Sequence, residues 1–150
     1  MSTDERRFAQ LLALVGRENE HLQAVGRRLL GGDCRGDAQR PQKLLSDDTG
    51  IDRLESFGAK FARMQDTITD KLIPAFLRIA GETVQTAIDN LGRMERLGLL
   101  SSADGWLEMR RLRNRLVHEY IDHPADLALA LERACRFSER MQADYALIAE

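Results

Sequence analysis

Apolar residues recur at steps of three and four along almost the whole chain, the spacing of one face of an α-helix. The first such stretch predicts a helix from about Asp4 to Leu30, which Gly31-Gly32 should end. Asp52 is predicted to cap a second helix. Its apolar stripe consists of Leu54, Phe57, Phe61, Met64, Ile68 and Leu72.

Proline and glycine predict where the next helices bend and end. Pro74 should kink or break the second helix near Asp70, because proline removes a backbone hydrogen bond and clashes with the preceding turn. Gly81 marks the end of that helix, and Gly98 should close a shorter third helix as a left-handed cap. The apolar positions of the third helix are Val84, Ala87, Ile88, Leu91, Met94 and Leu97.

A fourth helix should begin at a cap provided by Ser101 or Ser102 and end at His123-Pro124. Pro124 suits the first position of a fifth helix. That helix has the apolar face Leu127, Leu131, Ala134, Phe137, Met141, Tyr145 and Ile148.

One long polar segment interrupts this pattern at residues 31–48, which contain Gly36 and Pro41 and are predicted to form a loop. Within that loop, residues 42–45 could dock as a single turn. No strand pattern, phosphate-binding glycine loop or internal repeat is present. The sequence therefore predicts an all-α fold: one domain over residues 1–150, built as an antiparallel helical bundle of four long helices plus one short helix.

Composition agrees with a single compact domain. The chain has 150 residues, of which 43% are hydrophobic, enough for one core. The formal net charge is −2, so any contact with nucleic acid would have to come from a local basic patch. Cys34 and Cys135 lack the C-x-x-C spacing, and we expect two free thiols in a reducing cytosol.

Targeting and metal signals are weak. The charged N-terminal residues are not followed by the apolar core of a signal peptide, and no apolar run approaches the roughly 20 residues of a membrane span. We therefore expect a soluble, cytoplasmic protein that does not contact membranes. The sequence has no H-E-x-x-H pair or Cys/His cluster, so no metal and no cofactor are predicted.

The fourth predicted helix carries the run Arg113-Asn114-Arg115-Leu116-Val117-His118-Glu119-Tyr120. This run places a permanent cation, a proton carrier near neutral pH and a phenol within about two helical turns. Phosphodiester cleavage needs a charge clamp and a group that moves protons near pH 7. In RNA the 2′-hydroxyl is an internal nucleophile, so neither a metal nor a protein nucleophile is required.

A helical wheel sorts residues 106–121 into three sectors. An apolar stripe predicted to face the core contains Met109, Leu112 and Leu116. A charged side predicted to face solvent contains Glu108, Arg111, Arg115 and Glu119. A mixed sector contains Trp106, Leu107, Arg110, Asn114, Val117 and Ile121, with Arg113 and Tyr120 on one edge and His118 on the other.

The mixed sector predicts a dimer interface. Arg113 and His118 lie about 140° apart on an ideal helix, so they do not converge within one straight helix. They could meet across a two-fold interface, and a bend near Tyr120 would also help them converge. The mixture of Trp106 with Arg110 and Asn114 fits a dimer cleft better than open solvent.

Simpler interpretations exist for the same residues. Arg113 could pair with Glu108 or Glu119, and Tyr120 could pack at the helix end. His21 and His123 have no partner pattern and are expected to be surface residues.

The spacing of Arg113, His118 and Tyr120 resembles the R-x4-H-x-Y signature of HEPN-domain proteins, in particular the HepT-like toxins encoded beside a minimal nucleotidyltransferase. The string at 106–120 and the aromatic run at 57–66 are also similar to that branch. The resemblance covers roughly residues 52–145 and implies a helical bundle that dimerises, with the signature of both copies lining one cleft. Many members of this family are metal-independent endoribonucleases.

The resemblance also implies roles for individual residues. His118 would be the general acid/base, Arg113 would stabilise charge on the scissile phosphate, and Asn114 would orient one of them. Tyr120 would be the tyrosine that the partner nucleotidyltransferase modifies with AMP, silencing the toxin of a type VII toxin–antitoxin pair. A polar residue of the second helix often completes such sites; the candidates are Arg63, Gln65, Asp66 and Asp70.

Two other functions remain open at this point. Some relatives are described only as substrate-binding subunits of a nucleotidyltransferase, so the chain could be a non-catalytic docking subunit. It could also be a purely structural helical dimerisation module, although the presence of Arg113, Asn114, His118 and Tyr120 together argues against that.

Overall fold

Every regular element that the structure describes is helical. The computed structural model describes residues 1–31, 34, 40–116 and 124–150, and those ranges contain no strand. The all-α prediction is confirmed for them, and a short extra helix lies inside the segment predicted as a loop. The elements are α1 (Thr3–Leu30), α2 (Arg40–Leu45), α3 (Asp48–Thr67), a π-helical turn (Ile68–Leu72), α4 (Ile73–Ile79), α5 (Ala87–Arg96), α6 (Ala103–Arg115) and α7 (Pro124–Ala149).

The helix ends largely follow the predicted capping residues. α1 ends at Gly31, whose φ of 67° is left-handed, and Gly98 closes the α5 end with a φ of 76°. Ser102, rather than Ser101, caps α6 through its hydroxyl, which accepts the Gly105 N–H at 3.0 Å.

Two predicted helix starts were wrong. α3 begins at Asp48, because the Asp47 carboxylate accepts the Gly50 N–H at 2.8 Å and so caps the helix five residues before Asp52. α5 begins at Ala87 after a Thr86 cap, which leaves Val84 outside the helix. Ile88, predicted on the apolar stripe, is 62% exposed.

The helix that contains Pro74 continues through the proline instead of breaking. Proline cannot donate the hydrogen bond that an α-helix would need at this position. The chain widens into a π turn at Ile68–Leu72, where the N–H of Ile73 donates to the carbonyl of Ile68. α4 then runs on to Ile79, and the backbone turns at Gly81. The distortion expected near Asp70 is therefore a π turn.

The core lies where α1, α3, α6 and α7 meet. α1 packs mainly along α3, and α6 contacts α3, α5 and α7. Phe61 lies 5.8 Å from Phe137 between ring centroids, and the Trp106 ring meets Phe137 edge-on at 5.5 Å. None of the helices in the described ranges is both long and apolar enough to cross a membrane.

A disulfide bond joins Cys34 to Cys135, with 5.4 Å between the Cα atoms. The prediction of two free thiols was wrong, because the spacing of cysteines along the chain does not report their distance in the fold. The bond ties residue 34 to α7. Disulfides persist in oxidising surroundings, so this one counts against the cytoplasmic location, which stays a prediction.

A buried acid lies between α1 and α3. Glu18 is 8% exposed, and its Oε2 accepts a hydrogen bond of 3.0 Å from the Thr67 hydroxyl, while its Oε1 has no hydrogen-bond partner in the described ranges. Burial raises the pKa of Glu18 above its usual value of 4.5, although the Thr67 bond and the nearby charges of Arg63, Lys71 and Arg17 oppose that shift.

Replacing Glu18 with glutamine is therefore expected to stabilise the protein at neutral pH and much less in acid. Because the folded-state pKa is raised, the stability contributed by protonated Glu18 is complete below about pH 4.5 and is lost as pH rises through the folded-state pKa. Urea unfolding of both proteins at pH 4 and pH 7 measures the difference. Glu20→Gln, an exposed site on the same helix, is the control. A gain that does not grow between the two pH values would contradict this account.

Candidate functional site

Arg113 lies in the last turn of α6 and is anchored against α3. Its Nη1 donates to the backbone carbonyl of Ala62 at 2.9 Å, and its Nη2 lies 2.8 Å from Oδ1 of Asp66. Only 7% of the Arg113 side chain is exposed. The acid that contacts Arg113 in the described ranges is Asp66 on another helix and not Glu108, while Glu119, the other candidate, lies outside the described residues.

A second arginine extends this contact toward solvent. Nη2 of Arg110 lies 3.8 Å from Oδ1 of Asp66 and 3.9 Å from Oδ2 of Asp70. The side chains of Arg110, Asp66 and Asp70 are 39%, 42% and 49% exposed. Together with Arg113, these three residues form what we call the Arg113 cluster. Its two positive and two negative charges balance, so it carries no net charge.

Two of the four polar residues that were candidates to complete the site, Asp66 and Asp70, belong to the Arg113 cluster. Asp66 contacts Arg113 directly, and Asp70, from the π turn, contacts Arg110. Gln65 is instead buried, where its Nε2 donates to the Trp106 carbonyl at 3.0 Å. Arg63 lies near Glu18 on the α1 side.

The Arg113 guanidinium is only partly satisfied. Its Nε is buried without a hydrogen-bond partner, and Oδ1 of Asp66 likewise accepts no well-aligned hydrogen bond in the described ranges. The Asp66 contact is thus a one-point ion pair, not the two-bond fork that arginine forms with carboxylates or phosphates. Buried polar groups rarely stay unpaired, which makes the Nε–Nη2 edge of Arg113 the chemically incomplete part of the cluster.

The remaining signature residues divide between exposed and undescribed positions. Asn114 is exposed on α6. His118 and Tyr120 fall within residues 117–123, outside the described ranges, as do Val117, Glu119, Ile121 and His123. The α-helix ends at Arg115, and the N–H of Leu116 donates to the Arg113 carbonyl at 3.3 Å. The described helix is therefore shorter than the one predicted to reach His123.

Two of the three predicted sectors of α6 are confirmed over the described residues. The apolar stripe of Met109, Leu112 and Leu116 is buried, and Glu108, Arg111 and Arg115 are exposed. The mixed sector was wrong for Trp106, which is 1% exposed inside its own chain. Because α6 packs between α3 and α7, its buried arc is wider than one stripe, and Trp106 cannot belong to a dimer cleft.

Asp144 on α7 explains how Trp106 is buried without an unpaired N–H. Oδ2 of Asp144 accepts hydrogen bonds from the Trp106 indole at 2.9 Å and from the Ser101 hydroxyl at 3.0 Å. Asp144 is 2% exposed and was not identified from the sequence. The available signal was its position between Met141 and Ile148, at helical spacing on an apolar face.

No protein-family model, curated protein or solved structure matches this chain. The resemblance to HEPN proteins therefore rests on the residue pattern, in an all-helical fold. A shared fold and a short residue pattern do not determine an activity, which depends on the geometry and chemistry of the site.

One group of metal-ligating side chains lies close together in the described ranges. Ligand atoms of Cys34, Cys135 and Glu139 lie within 4.8 Å of one another. Thiolate sulfur is the form that binds metals, and both sulfurs are bonded to each other here. The group therefore has no thiolate to offer while the disulfide is intact.

Proposed function

We propose that this chain is a metal-independent endoribonuclease toxin of the HEPN type, acting as a homodimer and neutralised by a partner nucleotidyltransferase. The observation that carries the proposal is the incomplete Nε–Nη2 edge of Arg113, held in place five residues before His118. A phosphate offers two oxygens at the spacing of that edge, which the single Oδ1 contact of Asp66 does not. Cleavage of RNA by the purified protein in the presence of a chelator tests the proposal directly.

The reaction needs only groups that the signature supplies. The 2′-oxygen of the RNA attacks the adjacent phosphorus, forming one O–P bond while the bond from phosphorus to the 5′-oxygen breaks. His118 of one copy accepts the 2′-hydroxyl proton, and a proton is then donated to the leaving 5′-oxygen by that imidazolium or by a protonated His118 of the second copy. Arg113 exchanges its Asp66 contact for two phosphate oxygens, and Asn114 orients the reacting groups. The product is a 2′,3′-cyclic phosphate and a 5′-hydroxyl.

A basic surface beside the Arg113 cluster supports an RNA substrate. A cavity of about 150 Å³ next to Asp70 is also lined by Arg7, Lys71 and Arg78, all of them exposed. These three cations lie on α1, the π turn and α4, so they concentrate positive charge in a chain of net charge −2. Backbone phosphates of RNA bind such local patches without regard to sequence.

The proposal still includes a homodimer, but fewer observations now support it. The buried Trp106 removes one argument for it. The remaining support comes from the sequence alone: on one straight helix Arg113 and His118 would lie about 140° apart, which favours a histidine supplied by the second copy unless the chain bends near Tyr120.

Co-expression with the proposed partner nucleotidyltransferase is expected to add one or more AMP groups to a peptide containing Tyr120 and to abolish toxicity. An added phosphate near Arg113 would compete with RNA for the same cation. Intact-mass and peptide mass spectrometry after co-expression measure the modification.

Tyr120→Phe is the matched variant. It should stay toxic and resist neutralisation, because only the hydroxyl that accepts AMP is missing. Neutralisation of both proteins without added AMP would mean inhibition by binding alone.

The burial of Arg113 favours a second candidate function. A guanidinium that is 7% exposed and already paired with Asp66 could serve the fold alone. The chain would then be the non-catalytic docking subunit of a nucleotidyltransferase. In that case the partner would bind, while substitutions at Arg113 and His118 would leave RNA intact.

A further inference from the structure

Two neighbouring cavities lie between α1 and α3, away from the Arg113 cluster. The larger, of about 340 Å³, we call the basic cavity; it is lined by residues of α1, α2 and α3. The smaller, of about 240 Å³, we call the side cavity. Arg28, Thr49 and Arg53 line both, so the two cavities are parts of one groove.

Four cations converge on the basic cavity: Arg28 from α1, Arg40 and Lys43 from α2, and Arg53 from α3. The Arg40 guanidinium is fixed by donating to the Leu30 carbonyl at 3.2 Å. Arg28, Lys43 and Arg53 are exposed, and none of them has an ion pair with another described residue.

The acid that lines the basic cavity is already engaged. The Asp47 carboxylate accepts the Gly50 N–H at 2.8 Å as the α3 cap, and the Asp47 carbonyl accepts the Ile51 N–H at 3.3 Å. Arg28, Lys43 and Arg53 outnumber that single carboxylate, and a bound anion relieves the repulsion between these three cations. In a chain of net charge −2, this concentration of positive charge is a local feature.

The tight contact of α2 with α3 builds this cavity. A side chain at Gly50 would collide with the Leu44 backbone, so glycine allows α2 to lie directly against the first turn of α3. That contact brings Lys43 and Arg40 to the helix start, where the partial positive charge of a 20-residue helix adds to theirs.

Besides the shared Arg28, Thr49 and Arg53, the side cavity has three lining residues of its own that can contact a nucleoside. Val25 provides an apolar wall, Ser56 a hydroxyl, and Asp52 a carboxylate that can accept hydrogen bonds from sugar hydroxyls or an amino group. A nucleotide has phosphates at one end and a sugar and base, with hydroxyl and amino groups, at the other. The basic cavity suits the phosphates, and the side cavity suits the sugar and base. Together the cavities lie in the size range of small-molecule sites.

We infer that this groove binds a nucleoside di- or triphosphate, with its phosphates in the basic cavity and its nucleoside in the side cavity. Arg53 and Asp66 lie thirteen residues apart on α3, or roughly 20 Å along the helix. The site is therefore separate from the Arg113 cluster, and the inference does not depend on ribonuclease activity.

Calorimetric titration of the full chain at low salt tests this inference, with ATP, pyrophosphate and a single-stranded oligonucleotide as probes. ATP and pyrophosphate are expected to bind. Lys43→Ala and Arg53→Ala should each weaken both by at least tenfold, because each removes an exposed cation from the basic cavity. Ser56→Phe, which fills the side cavity, should weaken ATP by a similar factor and leave pyrophosphate unchanged.

Arg96→Ala removes an exposed arginine from α5 and is the matched control for loss of charge; it should bind both probes as the parent does. Failure of ATP and pyrophosphate to bind at millimolar concentration would overturn the inference. So would equal weakening by Arg96→Ala. Binding of the oligonucleotide, with no binding of ATP or pyrophosphate, would instead identify an open strand-binding surface. Loss of pyrophosphate binding in Ser56→Phe would show that phosphates are not bound in the basic cavity alone.

Discussion

Replacing Arg113 with alanine is expected to lower the rate of RNA cleavage by about 100-fold or more, the usual cost of removing one donor that stabilises transition-state charge. The scissile phosphate would lose its contact with the guanidinium, and Asp66 would keep only its longer, 3.8 Å contact with Arg110. Single-turnover cleavage of a labelled RNA measures the effect.

Arg113 also holds α6 against α3, so the variant must be separated from simple unfolding. Arg113→Lys keeps the charge but cannot form a two-bond contact, and it should remain strongly impaired at near-normal thermal stability. Arg111→Ala removes an exposed arginine from the opposite side of α6 and should cleave at the normal rate. Full activity in Arg113→Ala would show that Arg113 serves only the fold.

Removing the disulfide is expected to lower the free energy of unfolding by about 4 to 5 kcal/mol. Cys34 and Cys135 are 101 residues apart, so the bond closes a long loop and removes much of the conformational freedom of the unfolded chain. Urea unfolding of Cys135→Ser beside the oxidised parent measures the loss.

The reductant provides an internal control for that experiment. Dithiothreitol should destabilise the parent toward the level of Cys135→Ser and should leave the variant unchanged, because the variant has no bond to reduce. Equal stability of oxidised and reduced parent would show that the bond does not constrain the unfolded chain as expected. The same comparison reports whether the protein tolerates a reducing cytosol.

Local signals predicted the helices well, because each depends on residues close together in the chain. Gly31 and Gly98 end helices through a left-handed backbone that other residues rarely adopt. The start of α3 was missed because Asp47, Asp48 and Asp52 are all capable caps, and the apolar stripe alone pointed to the last of them.

Contacts between distant segments could not be predicted in the same way. Asp66 was one of four candidates on its helix, and only the packing of α6 on α3 places it against Arg113. Trp106 looked like an interface residue on a helical wheel, because its partner Asp144 lies 38 residues away on α7. The pairing of Cys34 with Cys135 depends in the same way on the fold.

We propose that Arg113 and His118 cleave RNA without a metal. The most direct measurement is incubation of purified protein with a defined RNA in excess chelator, followed by mass analysis of the new ends. Cleavage is expected to leave 2′,3′-cyclic phosphate or 3′-phosphate ends, and its rate is expected to fall about 100-fold or more in His118→Ala. Cleavage that requires a divalent metal, or that is unchanged in His118→Ala and Arg113→Ala, would contradict this proposal.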